Sequence, residues 1–143
     1  MPADKILLVD DEEEFILILS ERMKSRGMSV ETAESGPAAI KKAEKQDFDA
    51  VILDMMMPGM DGIETLKRLR EVNPNLQVIM LTGHATLPNA VEAVKLGAAD
   101  FLEKPANIAT LIEKIKEAKI KKMVLEEKQA EERIRNILKS KGW

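Results

Sequence analysis

A doubly wound α/β domain built on a five-stranded parallel sheet is the fold class this sequence predicts. Three observations lead there. Short apolar runs at residues 5–9, 28–33, 50–53, 77–81 and 99–102 alternate with longer stretches of helical periodicity. Turn residues punctuate the boundaries. The first, third and fourth runs are almost purely apolar, as strands covered on both faces must be, while the second ("MSVETA") alternates and suits an edge.

Each element has its own justification. After Ile6, Leu7, Leu8 and Val9, the residues Phe15, Leu19 and Met23 recur at helical spacing up to Gly27. Ser35, Gly36 and Pro37 open a second helix carrying Ala39, Ile40 and Ala43. The third strand, "AVIL", is followed by Pro58 and Gly59 and then by Ile63, Leu66 and Leu69. Asn73, Pro74 and Asn75 separate that helix from the fourth strand, and Pro88 starts a helix with Ala90, Val91 and Val94 that stops at Gly97. Proline fits a first helical turn and glycine a C-terminal cap. No proline occurs from Ala106 onward, so the fifth helix is expected to reach about Leu138, roughly 45–50 Å at 1.5 Å per residue. The division expected is a domain over residues 1–118 and a helical extension over 119–143.

Composition sets limits. The chain is 45% hydrophobic and 33% charged but only 3% aromatic, so its core must be aliphatic and methionine-based. The absence of cysteine excludes disulfides, thiol catalysis and thiolate metal sites. No apolar stretch is long enough to span a membrane, and the N-terminus "MPADK" lacks a secretory apolar region, so a cytoplasmic protein is expected. The net charge of −3 conceals an asymmetry. Residues 119–143 hold eight Lys/Arg against four Glu, a balance of +4, and the rest of the chain stands at −7. An acidic body and a basic tail are two surfaces with room for two roles.

The acids at the first strand's end are the chemical oddity. "ILLVDDEEEF" drives four hydrocarbon side chains into five consecutive acids. In doubly wound sheets ligands bind at the strands' carboxyl ends, beside the switch point. Asp10 and Asp11 end the first strand, Asp54 the third and Thr82 the fourth, and Lys104 follows the fifth. Each has an ordinary explanation alone; together, on one rim, they do not. Clustered carboxylates repel unless a cation neutralises them, and oxygen ligands with positions left for water favour Mg²⁺. A lysine can face a phosphoryl group and a threonine hydroxyl can donate to it. The set reads as a phosphoryl-transfer centre with one aspartate as nucleophile. Glu12, Glu13 and Glu14 read instead as first-turn acids favoured by the helix dipole.

"LLVDDE", then "VILDMMMPGMDG", "VIMLTGHA" and "FLEKP", in that order, resemble the receiver domain of two-component response regulators over about residues 4–118. The stretch "LTGHAT…AVKLGAADFLEKP" is most similar to receivers of the nitrogen-regulator type. The resemblance implies a flavodoxin-like sheet of order 2-1-3-4-5 with helices on both faces. It implies Asp54 as phosphoacceptor from a histidine kinase or phosphotransfer protein, with Mg²⁺ held by Asp11, by Asp10 largely through water, by Asp54 and by the Met56 carbonyl. Lys104 would contact the phosphate, Thr82 and Phe101 would be the switch pair, and the Lys104–Pro105 bond would be cis. Met56 and His84 would tune the phosphoryl lifetime, a bulky Met56 giving slow self-dephosphorylation. Phosphorylation would then change the surface of the fourth helix, fifth strand and fifth helix. Such a protein is a signalling switch rather than an enzyme. The competing reading is a Mg²⁺-dependent aspartyl-phosphate phosphatase or phosphotransferase for a small substrate, which lacks a second acid two residues after Asp54.

Beyond residue 118 an apolar stripe continues through Ile120, Met123, Ala130, Ile134 and Ile137, in 3–4 spacing if Glu127 is accepted as a fault. Such a stripe must be buried somewhere, and self-association is the expected use. Direct nucleic-acid or membrane binding is not expected, because four glutamates interleave the bases.

Overall fold

Side chains of successive strand residues point to opposite faces, so an all-apolar strand needs a helix layer on each side. The computed structural model, which describes residues 3–57, 59–83 and 86–142, supplies both layers. Along the chain, β1 (Lys5–Val9), α1 (Glu13–Lys24), β2 (Ser29–Ala33), α2 (Gly36–Lys45), β3 (Ala50–Leu53) and α3 (Gly62–Val72) are followed by β4 (Val78–Thr82), α4 (Leu87–Lys95), β5 (Asp100–Glu103) and α5 (Ile108–Ser140). The strands pair in parallel in the order β2-β1-β3-β4-β5. This is the doubly wound arrangement the alternation predicts, in the flavodoxin-like order the resemblance implies. Each strand lies within a residue of its expected span, and the alternating β2 does occupy an edge.

The strand alternation sorts the core into two. Leu7, Val9, Val51, Leu53, Val78 and Met80 pack with Leu66 and Leu69 on one face. Ile6, Leu8, Ile52, Ile79 and Leu81 pack with Met23, Leu111 and Ile115 on the other. Leu66, Leu69 and Ile115 are fully buried, and truncating any one of them to alanine would cost about 3 kcal/mol. Gly27 and Gly97 adopt positive φ (86° and 97°), the left-handed conformation that ends α1 and α4. Asp61 caps α3 by accepting from the Glu64 N–H at 2.9 Å, and Asn107 caps α5 by accepting from the Ala109 N–H at 2.8 Å.

The order of the sheet decides where chemistry can occur. β1 and β3 are neighbours, with Val9 opposite Leu53, so Asp10 and Asp54 leave adjacent strands at the same height. The chain winds outward in opposite directions from this pair, which opens a crevice above their carboxyl ends.

α5 packs across the sheet face lined by Ile6, Leu8, Ile52 and Leu81 and runs on past the amino ends of the strands. This helix has 33 residues, about 50 Å, and runs unbroken across residue 118. Leu111, Ile115 and Ala118 lie buried on the sheet. Lys122 then turns inward. Its Nζ donates to Asp47 Oδ1 at 2.6 Å and to the Phe48 carbonyl at 2.8 Å. The Gln129 and Asn75 side-chain amides pair reciprocally at 2.8 and 3.0 Å. Contact with the body therefore continues to Gln129 through polar groups, which hydrophobic periodicity does not report.

Candidate functional site

Apolar strands fix the site because their last residues have no freedom left. The Asp54 N–H donates to the Val9 carbonyl at 2.9 Å, which ties the end of β3 to that of β1. The Lys104 N–H donates to the Thr82 carbonyl at 2.9 Å, which ties the loop after β5 to the end of β4. Below Asp54 runs the start of α3, where the Gly62 N–H donates to the Met55 carbonyl at 2.8 Å. A Cβ on Gly62 would strike the Asp54 carbonyl oxygen and the Met55 Cα. Only glycine lets the helix pass that close.

Asp10 and Asp54 are both nearly buried, and with the exposed Glu12 they bring carboxylate oxygens within 4.8 Å of one another. Such a cluster can hold a divalent cation. Lys104 is the positive group facing it: Nζ lies 2.6 Å from Asp10 Oδ2, 3.1 Å from Glu12 Oε1 and 3.9 Å from Asp54 Oδ2. The same ammonium sits 4.2 Å above the centroid of the Phe15 ring, a cation–π contact. One cation against three carboxylates leaves the site short of positive charge. Asp54 registers the deficit. Its carboxyl is raised from the ordinary 3.8, first by burial and then by repulsion from Asp10. Lys104, the Thr82 hydroxyl and the Met56 N–H pull it back without cancelling the rise. For Lys104, burial alone would lower the pKa, but the hydrogen bond and charge of Asp10, with Asp54 and Glu12, raise it above 10.5.

The structure gathers most of the residues singled out in the sequence. Asp10, Asp54, Thr82 and Lys104 converge, and Thr82 is completely buried. Asp11 is exposed and stands outside the trio of converging carboxylates. Met56 lies two residues past Asp54 with its side chain largely in solvent. Phe101 is half-buried on β5 and packs against the core face shared with α3 and α4. The Lys104–Pro105 peptide is cis. His84 lies outside the described residues. Three participants were not expected from the sequence. Glu12 has the sequence signature of a helix-start acid, yet it accepts from Lys104; its position directly after Asp11 is the available signal. Phe15 belongs by spacing to a helical stripe, and its ring also lies under the Lys104 ammonium. Gly62 follows Asp61 in an ordinary turn pair, and nothing in the sequence reports the backbone it must clear.

Residues 6–116 match the family described as response regulator receiver domain. The chain belongs to that family. Among curated proteins this receiver is similar to the transcriptional regulatory protein GlrR of Escherichia coli (strain K12), with 38% identity over 113 residues. That alignment covers 79% of this chain but 26% of GlrR, so the chain spans about a quarter of that relative's length. Among solved structures it is similar to a CheY-like receiver domain protein from Methanospirillum hungatei JF-1, with a TM-score of 0.81 and 31% identity. There the alignment covers 85% of this chain and 97% of that one. A response regulator from Burkholderia pseudomallei, solved with a phosphorylated aspartic acid, a calcium ion and citrate, aligns over 97% of this chain and 86% of its own. Its TM-score is 0.76 at 27% identity. Among the described residues no helix is long and apolar enough to cross a membrane.

Proposed function

We propose that Asp54 is the phosphoacceptor of a cytoplasmic two-component switch, taking a phosphoryl group from a histidine kinase or phosphotransfer protein. The observation that carries this reading is the placement of the Asp54 carboxylate, at the end of β3, among Asp10, Glu12, Thr82 and Lys104. An Asp54 oxygen attacks phosphorus, the bond to the donor's imidazole nitrogen breaks, and that nitrogen keeps the electron pair and takes up a proton. Lys104 turns from the carboxylates toward the incoming phosphoryl oxygens, and Thr82 presents its hydroxyl to one of them.

The donor set is all oxygen and carries surplus negative charge, which fits Mg²⁺. Asp10, Asp11, Asp54 and the Met56 carbonyl would hold it, with Glu12 within reach. When bound, the ion supplies the charge neutralisation that lets an anionic donor approach three carboxylates. Aspartyl phosphate formation adds about 1.5 to 2 negative charges at the end of β3 and draws Thr82 and then Phe101 inward. That biases the α4-β5-α5 surface toward the state that engages a partner or output domain. The exposed side chains of Leu87, Val91 and Val94 give that surface an apolar face on α4. Met56 and His84 set how fast water removes the phosphoryl group. We also take residues 119–143 as a self-association element distinct from the receiver at 1–118.

Intact-protein mass after incubation with acetyl phosphate tests the acceptor. One phosphoryl addition is expected that requires Mg²⁺ and is absent from Asp54→Asn. Addition that persists in Asp54→Asn would remove Asp54 from the role. Continuous turnover of small phosphate esters would assign the site to hydrolysis instead.

A further inference from the structure

Two stripes run along α5, about a third of a turn apart. Leu111, Ile115, Ala118, Lys122 and Gln129 face the body. At 100° per residue, Ile120, Met123, Glu127, Ala130, Ile134 and Ile137 form a separate stripe centred about 120° around the helix from the body-facing one. Ile120, Met123, Ile134 and Ile137 are each more than half exposed, on a helix whose inner face is already committed. The stripe repeats at steps of 3, 4, 3, 4 and 3, the spacing of a two-helix seam.

Charge decides what can cover it. In a parallel pair of copies, each seam residue meets itself. Glu127 would then face Glu127, and Glu126 on the flank would face Glu131 five residues on; both contacts are repulsive. In an antiparallel pair with its two-fold axis between residues 128 and 129, the layers become Ile120 with Ile137, Met123 with Ile134, and Glu127 with Ala130, each occurring twice. Glu126 then flanks Arg133 of the other copy, also twice. The apolar ends meet apolar ends, the central acids avoid each other, and the flanking charges are opposite in sign. A stripe with this self-complementarity under two-fold rotation fits an isologous contact between identical chains.

We propose that α5 binds a second copy of this chain as an antiparallel helix pair, centred between Lys128 and Gln129. The proposal rests on the self-association reading and adds its polarity and register. The chain contains no cysteine, so engineered thiols report contacts without background. Ile120→Cys and Ile137→Cys are prepared singly in the full chain, oxidised alone and as an equal mixture, and resolved by mass. Cross-linking in the mixture and not in either single variant is the expected result. Disulfides within the Ile120→Cys variant alone would mean a parallel pair, overturning the polarity while keeping self-association. Equal cross-linking in all three samples would overturn the fixed register. A native chain that sediments as a monomer at every concentration, with no cross-link, would overturn both. Charge reversal provides a check that does not depend on thiols. Glu126→Arg should weaken the native dimer about tenfold and Glu126→Arg with Arg133→Glu should restore it. Strengthening by Glu126→Arg alone is the parallel outcome and would overturn the proposal.

Discussion

Two lysines, one at each edge of the sheet, show what separates a reactive site from a structural clip. Lys104, at the carboxyl edge, has a side chain 13% exposed. Lys122, at the amino edge, is 6% exposed. Each donates to an aspartate at 2.6 Å. The difference lies in what surrounds the pair. Lys122 spends its second hydrogen bond on the Phe48 carbonyl, and its two carboxylates, Asp47 at 2.6 Å and Glu126 at 3.8 Å, are both at least half exposed, so water screens their charge. Lys104 faces three carboxylates, two of them buried, and leaves them under-neutralised. Burial and an ion pair are common to both ends. Buried surplus charge, which water cannot screen and an added ion or ligand can correct, belongs to one.

The largest effect should come from breaking the carboxyl edge. Lys104→Ala is expected to cut phosphoryl acceptance from acetyl phosphate by on the order of 100-fold or more, the usual loss when a charge-stabilising donor is removed. It should also cost about 2 kcal/mol in chemical denaturation at pH 7, because Asp10 and Asp54 are left buried without their cation. Added Mg²⁺ should restore much of that stability, since an ion that binds only the folded state shifts the equilibrium toward it. Lys122→Met should cost slightly less, about 1.5 kcal/mol, by stranding the Phe48 carbonyl. Its phosphoryl acceptance should stay native, and Mg²⁺ should not rescue it. If Mg²⁺ rescues both variants equally, the contrast between the two edges fails.

Much of the carboxyl edge was legible beforehand, and little of the amino edge. β1, β3 and β4 announce themselves because burial on both faces demands unbroken hydrocarbon, and the polar residue that ends each run then lies on the carboxyl rim by position. Asp10, Asp54 and Thr82 are placed on that rim by this pattern alone. Lys104 was found because it follows the fifth strand, and so lies on the same rim. Glu12 was missed because a helix-start acid and a site acid have the same sequence signature; only the reach of Lys104 tells them apart. Gly62 was missed because its reason is the backbone of residues 54 and 55, distant in hydropathy and adjacent in space. The Lys122 and Gln129 contacts are polar and long-range, so no periodicity marks them. Apolar patterning writes the sheet into the sequence plainly, whereas pairing between polar groups emerges only when the chain is folded.

Charge surplus also makes a pH prediction. The folded state raises the pKa of Asp54 above 3.8, chiefly through burial and then through Asp10, so it holds that proton more tightly than the unfolded chain does. Below pH 3.8 both states are protonated and nothing is lost. As pH rises through 3.8 toward the folded value, the unfolded state gives up its proton first and stability falls. Asp54→Asn has no such proton. At pH 7 it should be more stable than the native chain, with the advantage shrinking toward zero in acid. Denaturation midpoints at a series of pH values, without Mg²⁺, measure this. A constant gap across the series would mean that repacking, not ionisation, causes it.

The smallest effect tests how far the amino-edge clip extends. Gln129 and Asn75 form the last side-chain hydrogen bonds from α5 to the body among the described residues. Both lie at the surface, where water competes, so Gln129→Ala should lower global stability by about 0.5 kcal/mol or less. The local consequence is larger than the global one. A helical segment without tertiary contacts is marginal in water, and past Lys122 this pair is what pins α5 down in a single chain. At concentrations low enough to keep the chain monomeric, amide exchange over residues 126–138 should quicken about two- to threefold in Gln129→Ala. Exchange around Leu111 and Ile115 should stay unchanged, because those residues are held by the apolar core. Faster exchange along the whole helix would mean that the amide pair and Lys122 act as one unit. The clip would then belong to the folding core of the domain, not to the anchoring of its tail.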